Sequence, residues 1–228
     1  MTLVFKDLGP QVSWKTVFLF EYAGPLVICS ILTAFRKQIY NTKKPLTMNQ
    51  KVGLALVFGH YIKREFETLF VHRFSNDSMP IFNLFKNSFH YWVIFGFINM
   101  YFFLHPDYRP PSWARSKKFM TAIVVLFVLL EYLNLQTHLT LRDLRKPGTT
   151  TRGIPHGWGF QWVSCANYWW EFLAWLLFCI QSGHPGSFIF LLVGSVQMLI
   201  WGVDKHNRYL KDFADYPKNR KIMFPFVL

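Results

Sequence analysis

Long apolar runs alternate along the whole chain with short polar links rich in turn-forming residues. A helix that crosses a bilayer needs about 20 mostly apolar residues. Candidate runs lie at roughly 14–34, 52–73, 85–104, 119–139, 161–181 and 187–203. The fourth, Phe119 to Leu139, is the clearest, although its last third turns polar. The second, "VGLALVFGHYIKREFETLF", is amphipathic and charged in its second half. Such a helix either leaves the membrane or turns its charged face into the protein. The links carry the breakers: "HPDYRPPSWARSKK" after the third run, "RKPGTTTRGIPHGWG" after the fourth and "SGHP" after the fifth. The pattern predicts an all-α integral membrane protein, a bundle of about six to seven transmembrane helices. A short N-terminal segment, 1–13, precedes one multi-pass membrane domain at 14–228.

Composition agrees. Of 228 residues, 52% are hydrophobic, 19% aromatic and only 16% charged, where a soluble domain carries about 25% charged residues. The net charge of +13 changes the picture only in its placement. Lys and Arg sit mostly between the apolar runs, where the positive-inside effect and anionic headgroups place them, and no basic stripe on a soluble fold argues for nucleic acid. With six spans both termini fall on one side, together with the Arg-rich loop 142–152 and the basic tail from Asp204. That side is expected to be the cytosol, although the first and third links are basic too. Cys29, Cys165 and Cys179 lie inside apolar stretches and form no disulfide framework or metal pair. The N-terminus lacks the basic and apolar regions of a cleavable signal.

Ionisable groups within spans are costly and usually face a bundle interior. Here they include Glu21, His60, Tyr61, Arg64, Glu65, Glu131, Asn134, His138, Asn167 and Glu171. Each has a plainer explanation as a structural hydrogen bond or a snorkelling group. In "NLQTHLTLRDLR", however, Asn134, His138, Arg142 and Arg145 recur at helical spacing as one polar stripe. Two stacked guanidiniums at a membrane exit can clamp phosphates, and a Thr run leads on to Arg152. Asn167 and Glu171, four apart in "CANYWWEFLAW", share a helix face and could look into the same cavity. An amide there can donate and accept toward a nicotinamide carboxamide or a ribose. No Gly-x-Gly-x-x-Gly marks a Rossmann site and no Gly-x-Ser-x-Gly a serine hydrolase. His156 in "HGWG" has no second ligand at metal spacing, so no metal is expected.

At these residues the chain resembles the steroid 5-alpha-reductase superfamily, and within it the very-long-chain trans-2-enoyl-CoA reductase branch. The matching stretches are "LRDLRKPG", "IPHGWGFQWVSCANYWWE" and "KHNRYLKDFADYPKNRKIMFPF", with "FEYAGPL" and "HYIKREFETLFVHRFS" upstream. The resemblance implies a multi-pass endoplasmic-reticulum enzyme whose cofactor and substrate cavity opens to the cytosol. It implies NADPH as the hydride source and a long-chain enoyl-CoA as the substrate, with membrane lipid and other fatty acid elongation enzymes as neighbours. Asn134, Arg142, Arg145, Asn167, Glu171 and Tyr209 match family cofactor positions. His138 stands where the steroid reductases carry an aspartate, and the family's arginine near Ile154–Pro155 falls at Arg152 or one residue beyond. Glu21 and Tyr61 match positions used near the substrate carbonyl. Members of the branch usually carry a ubiquitin-like segment before the first span, and this chain is expected to be one without it. Tyr61 is the first choice of oxygen donor or proton source, oriented by Glu21, and Tyr209 is the rival. Competing readings are a reductase of a steroid or polyprenol double bond and a non-catalytic membrane adaptor of elongation enzymes.

Overall fold

The computed structural model describes residues 9–74, 77–145, 149 and 152–227. A short ribbon opens the chain: β1 (Gln11–Ser13) pairs antiparallel with β2 (Ser78–Pro80), Val12 opposite Met79. Ser13 then caps α1 (Trp14–Ala34) by accepting from the Thr16 amide. After the single turn α2 (Arg36–Ile39), α3 (Met48–Phe70) starts on a capping box in which Thr47 and Gln50 bond each other's backbone amides. The next helical run is α4 (Phe82–Ser88), a π-wound stretch (Phe89–Asn99) and α5 (Met100–Phe103). Ser116 caps α6 (Lys117–Asp143). In α7 (Ala166–Ser182) the last turn closes on Gly183, whose φ of 57° is left-handed. A Cβ on Gly183 would also lie 2.2 Å from Pro111 Cγ, so only glycine fits. α8 (Pro185–Asp212) begins with proline at its first turn.

The helices pack with α7 between α6, α8 and α3, and with α1 against α3 and the π-wound stretch. Their shared core contains Leu54, Val57, Phe95, Phe103, Phe127 and Phe178. The outer faces are apolar as well. Val125, Val128 and Leu129 of α6 and Leu192, Val196 and Ile200 of α8 are each at least half exposed. Apolar surface on that scale is foreign to water-soluble monomers and suits lipid. Among the described residues, three helices are long and apolar enough to cross a membrane: α1, α6 and α8. The other expected spans fall short for identifiable reasons. α3 carries charge on its inward face, α7 has 17 residues, and the run from Phe82 to Phe103 is divided among α4, the π-wound stretch and α5.

Two boundaries differ from the pattern-based expectation. The fifth run was placed at 161–181, but its helix begins at Ala166 because Ser164 and Cys165 give their amides to the Lys221 and Ile222 carbonyls. The tail was expected from Asp204, yet α8 continues to Asp212, carrying Lys205, Arg208 and Lys211 past the apolar stretch. The helix-ending Lys-Pro-Gly at 146–148, and much of the segment 1–13, lie outside the described residues.

The links gather alternately at two ends. At one end Arg36 donates to the Leu104 carbonyl at 2.6 Å and Gln50 to the Phe103 carbonyl at 2.9 Å. There too the Asn49 amide donates to the Gln181 carbonyl at 2.9 Å, while the Gln181 amide returns a bond to the Asn49 carbonyl at 2.8 Å. The bonds to Phe103, Leu104 and Gln181 satisfy carbonyls that helix C-termini otherwise leave open. At the other end lie the β-ribbon, the Arg73–Arg145 backbone contacts and the tail, where Lys221 donates to Trp162. Asn49→Ala should strand the buried Gln181 and Ala114 carbonyls and cost about 1–3 kcal/mol. A lower thermal unfolding midpoint in detergent is the expected result.

Candidate functional site

The site begins with the register of α3. His60, Lys63, Arg64 and Glu67 recur three and four residues apart and so share one face. The opposite face shows Ile62, Phe66 and Phe70, all more than half exposed. α3 is therefore amphipathic in the inverted sense, greasy outside and charged inside. The inward face meets Glu131, Asn134 and His138 of α6 and Glu171 of α7.

The contacts are dense. His60 has a carboxylate at each ring nitrogen, Glu131 at 2.7 Å from Nδ1 and Glu171 at 3.2 Å from Nε2. Lys63 reaches Glu131 at 2.8 Å, the Asn134 carbonyl oxygen at 2.6 Å and Glu67 at 3.3 Å. Arg64 binds Glu67 at 2.7 Å and donates to the Tyr22 hydroxyl at 2.7 Å. Nδ1 of His138 lies 3.0 Å from Glu67. The Asn134 amide donates to the Asn167 carbonyl at 3.0 Å and faces Glu171 at 3.4 Å. Glu67, Glu131 and Glu171 thus stand against Lys63, Arg64 and an imidazole bracketed by acceptors, and an imidazolium would balance the charge. Glu67, His72 and His138 also bring three metal-ligand atoms within 4.8 Å of one another. Arg64 and Lys63 already neutralise that carboxylate and would repel a divalent ion, so the cluster reads as ion pairing.

The expected site residues fall into three groups. Asn134, His138, Asn167 and Glu171 converge on this polar core. Arg142, Arg145, Arg152 and Tyr209 lie toward the ribbon-and-tail end. The single polar stripe expected from Asn134 to Arg145 therefore divides: α6 stops at Asp143, and Arg145 follows it with no helical spacing to hold it in line. Arg142 turns to its neighbour Asp143 at 2.8 Å and stays out of the core. Arg145 donates to the Arg73 carbonyl. Partial burial, and then the nearby charge of Arg152, push the Arg145 guanidinium below its usual range. Arg152 lies 4.0 Å from Asp212. Tyr209 stacks on Tyr216 with centroids 5.2 Å apart, and Tyr216 is held by Ser164 at 2.6 Å. The third group is Glu21 and Tyr61. Both are buried, and among the described residues the Tyr61 hydroxyl and Glu21 Oε2 have no hydrogen-bond partner. Asn167 Oδ1 is likewise buried and unpaired.

Sequence reasoning overlooked Lys63, Glu67 and Tyr22. The first two were visible as the same-face neighbours of His60 in "HYIKREFE". Tyr22 carries no local signal, because only the packing of α1 on α3 brings it to Arg64.

With the geometry in place, similarity to known proteins fixes the class. Residues 77–228 match the family model described as 3-oxo-5-alpha-steroid 4-dehydrogenase, and the chain belongs to that family. Among its relatives, it is 48% identical over 228 residues to a very-long-chain enoyl-CoA reductase of Dictyostelium discoideum, covering all of this chain and 74% of that protein. It is 45% identical over 231 residues to a putative enoyl reductase of Schizosaccharomyces pombe, covering all of this chain and 76% of the relative. A trans-2,3-enoyl-CoA reductase-like protein of Bos taurus is 37% identical over 240 residues, with all of this chain and 64% of the relative covered.

Arg64→Leu should leave Glu67 buried without its closest cation and cost about 3–5 kcal/mol. Arg142→Ala, which removes only an exposed pair, should stay within about 1 kcal/mol of the parent. Yield of monodisperse protein and unfolding midpoints of the two variants check the contrast.

Proposed function

We propose that this protein is an NADPH-dependent very-long-chain trans-2-enoyl-CoA reductase of the endoplasmic-reticulum membrane, completing each round of fatty acid elongation beside other elongation enzymes. The observation that carries the reading is the convergence of Asn134, Asn167 and Glu171 from α6 and α7 beside a buried, unpaired Tyr61 hydroxyl. In this reading α1, α3, the run from Phe82 to Phe103, α6, α7 and α8 make six crossings. The ribbon-and-tail end, with the arginines, faces the cytosol.

The residues fit a dinucleotide. The Asn167 carboxamide oxygen, buried without a partner, can accept from a nicotinamide amide, and Glu171 can accept from a ribose hydroxyl. Arg145, whose guanidinium feels the charge of nearby Arg152, offers with it a place for a phosphate. Arg142 stands at the same rim, His138 lines the inner wall, and Tyr209 can stack on or bond the cofactor. Bound NADPH supplies the hydride for the β-carbon of the unsaturated thioester.

The chain's part is to stabilise the charge that grows on the thioester oxygen and to deliver a proton to the α-carbon. Tyr61 is suited to both. Its hydroxyl has no hydrogen-bond partner among the described residues, and the rings of Tyr22, Phe95 and Trp175 pack round its ring with centroids within 6.3 Å. A donor that is already desolvated needs no reorganisation when the enolate forms. Glu21, with one oxygen unpaired, lies on the adjoining face of α1 and can hold the proton inventory of the pocket. Tyr209 is the alternative donor.

The deciding assay mixes detergent-purified protein with NADPH and a long-chain trans-2-enoyl-CoA and follows the loss of reduced-nicotinamide absorbance. Turnover only with a steroid or polyprenol substrate would move the protein to another branch, and none with any substrate would leave an adaptor. Tyr61→Phe is expected to lower kcat roughly 100-fold while NADPH still binds, and wild-type turnover would pass the role to Tyr209. Arg145→Ala should weaken NADPH about tenfold, one lost charged hydrogen bond's worth, with the KM for acyl-CoA little changed. Fluorescence titration with nucleotide checks it.

A further inference from the structure

Glu131 is not among the groups expected to meet cofactor or substrate, yet it holds two side chains, His60 and Lys63, that in turn contact groups that are. One oxygen binds His60 Nδ1 at 2.7 Å and the other binds Lys63 Nζ at 2.8 Å. From these two contacts, separate routes lead to Glu171. In the first, His60 is held by Nδ1 and so presents Nε2 to Glu171 Oε1 at 3.2 Å. In the second, Lys63 is held by Glu131 and donates to Asn134 Oδ1 at 2.6 Å. Ammonium groups only donate, so this contact settles which end of the Asn134 amide is oxygen. The amide nitrogen must then face the other way, toward the Asn167 carbonyl at 3.0 Å and Glu171 Oε2 at 3.4 Å. Trp175 completes the set by donating to Glu171 Oε1 at 3.1 Å.

The ordering of exposure fits a supporting role. The Glu131 side chain is 12% exposed and that of Glu171 is 20%. The more open carboxylate is the one at the end of both routes. We infer that Glu131 is a positioning residue for the nucleotide site: it fixes the Asn134 amide and the Glu171 carboxylate in the orientation that receives the cofactor's ribose and carboxamide, acting through Lys63 and His60. The inference rests on the cofactor reading above.

Shape alone does not replace it. A glutamine at 131 has one acceptor oxygen for two donors, so either Lys63 or His60 would face an NH2 group. An aspartate keeps both acceptors but is one methylene shorter, and cannot span both contacts at once.

The test is NADPH affinity of the full-length protein in detergent, read by nucleotide-dependent tryptophan fluorescence, beside steady-state kinetics. Glu131→Gln should raise the Kd for NADPH about tenfold. It should leave the KM for enoyl-CoA within about twofold, a split that a general loss of stability would not produce. The double variant E131Q/E171A should lose clearly less than the sum of the two single losses, because part of the effect of Glu131 runs through Glu171 and only the remainder through Asn134. Glu131→Asp should lie between, at roughly threefold weaker binding, and carries the test if E131Q does not accumulate. Wild-type NADPH affinity in the variant that folds, or additive losses in the double variant, would overturn the inference. If E171A itself binds NADPH normally, the cofactor reading falls and takes this inference with it. If E171A is weak and E131Q normal, only the role of Glu131 is lost.

Discussion

A charge buried in a greasy bundle must find a partner there, and this constraint shapes everything else in the molecule. Leaving one of these ions unpaired costs several kcal/mol, comparable to the net stability of a whole domain. Lys63, Arg64, Glu67, Glu131 and Glu171 are paired by contacts between 2.7 and 3.3 Å drawn from three helices. The register of α3 against α6 and α7 follows, since a one-residue rotation of α3 would separate the pairs and turn Phe66 inward. The core is held by fit between ions as much as by fit between side-chain shapes.

The same constraint explains what could be read in advance. The inward face of α3 was foreseeable as one of two options, and burial of Arg64 and Glu67 selects it. The common face of Asn167 and Glu171 followed from spacing four, and Asn134 and His138 followed from the stripe on α6. Spacing informs only within a helix. It could not show that Lys63 meets Glu131 across 68 positions of sequence, nor that Tyr22 seats Arg64. The stripe was extended one turn too far because helical spacing was projected past Asp143 to Arg145.

The two ends of the bundle divide the labour. Toward the ribbon and tail, Arg142 and Arg152 each face one exposed aspartate, Asp143 and Asp212, while Arg145 is held by the Arg73 carbonyl. The Tyr209–Tyr216 stack and the Ser164 contact fasten the tail to that same end, so the chain's last segment and the loop before α7 are built as one piece around the arginines. At the other end the buried contacts are largely amides on carbonyls, joined by the Arg36 guanidinium and the Tyr108 hydroxyl.

That difference bears on electrical insulation. A row of titratable side chains strung through a bilayer is the material of a proton wire, and the row from His138 through Glu67, Lys63 and Glu131 to His60 runs well into the bundle. It stops there. Between His60 and Gln50 lie about 15 Å of helix packed with Leu54, Leu56, Val57, Phe95, Phe103 and Phe178. Beyond that slab the buried polar side chains include Asn49, Gln50, Asn99 and Gln181, whose amides neither take up nor release protons at physiological pH. The bundle can thus keep a charged workshop inside a membrane without short-circuiting the ion gradients across it.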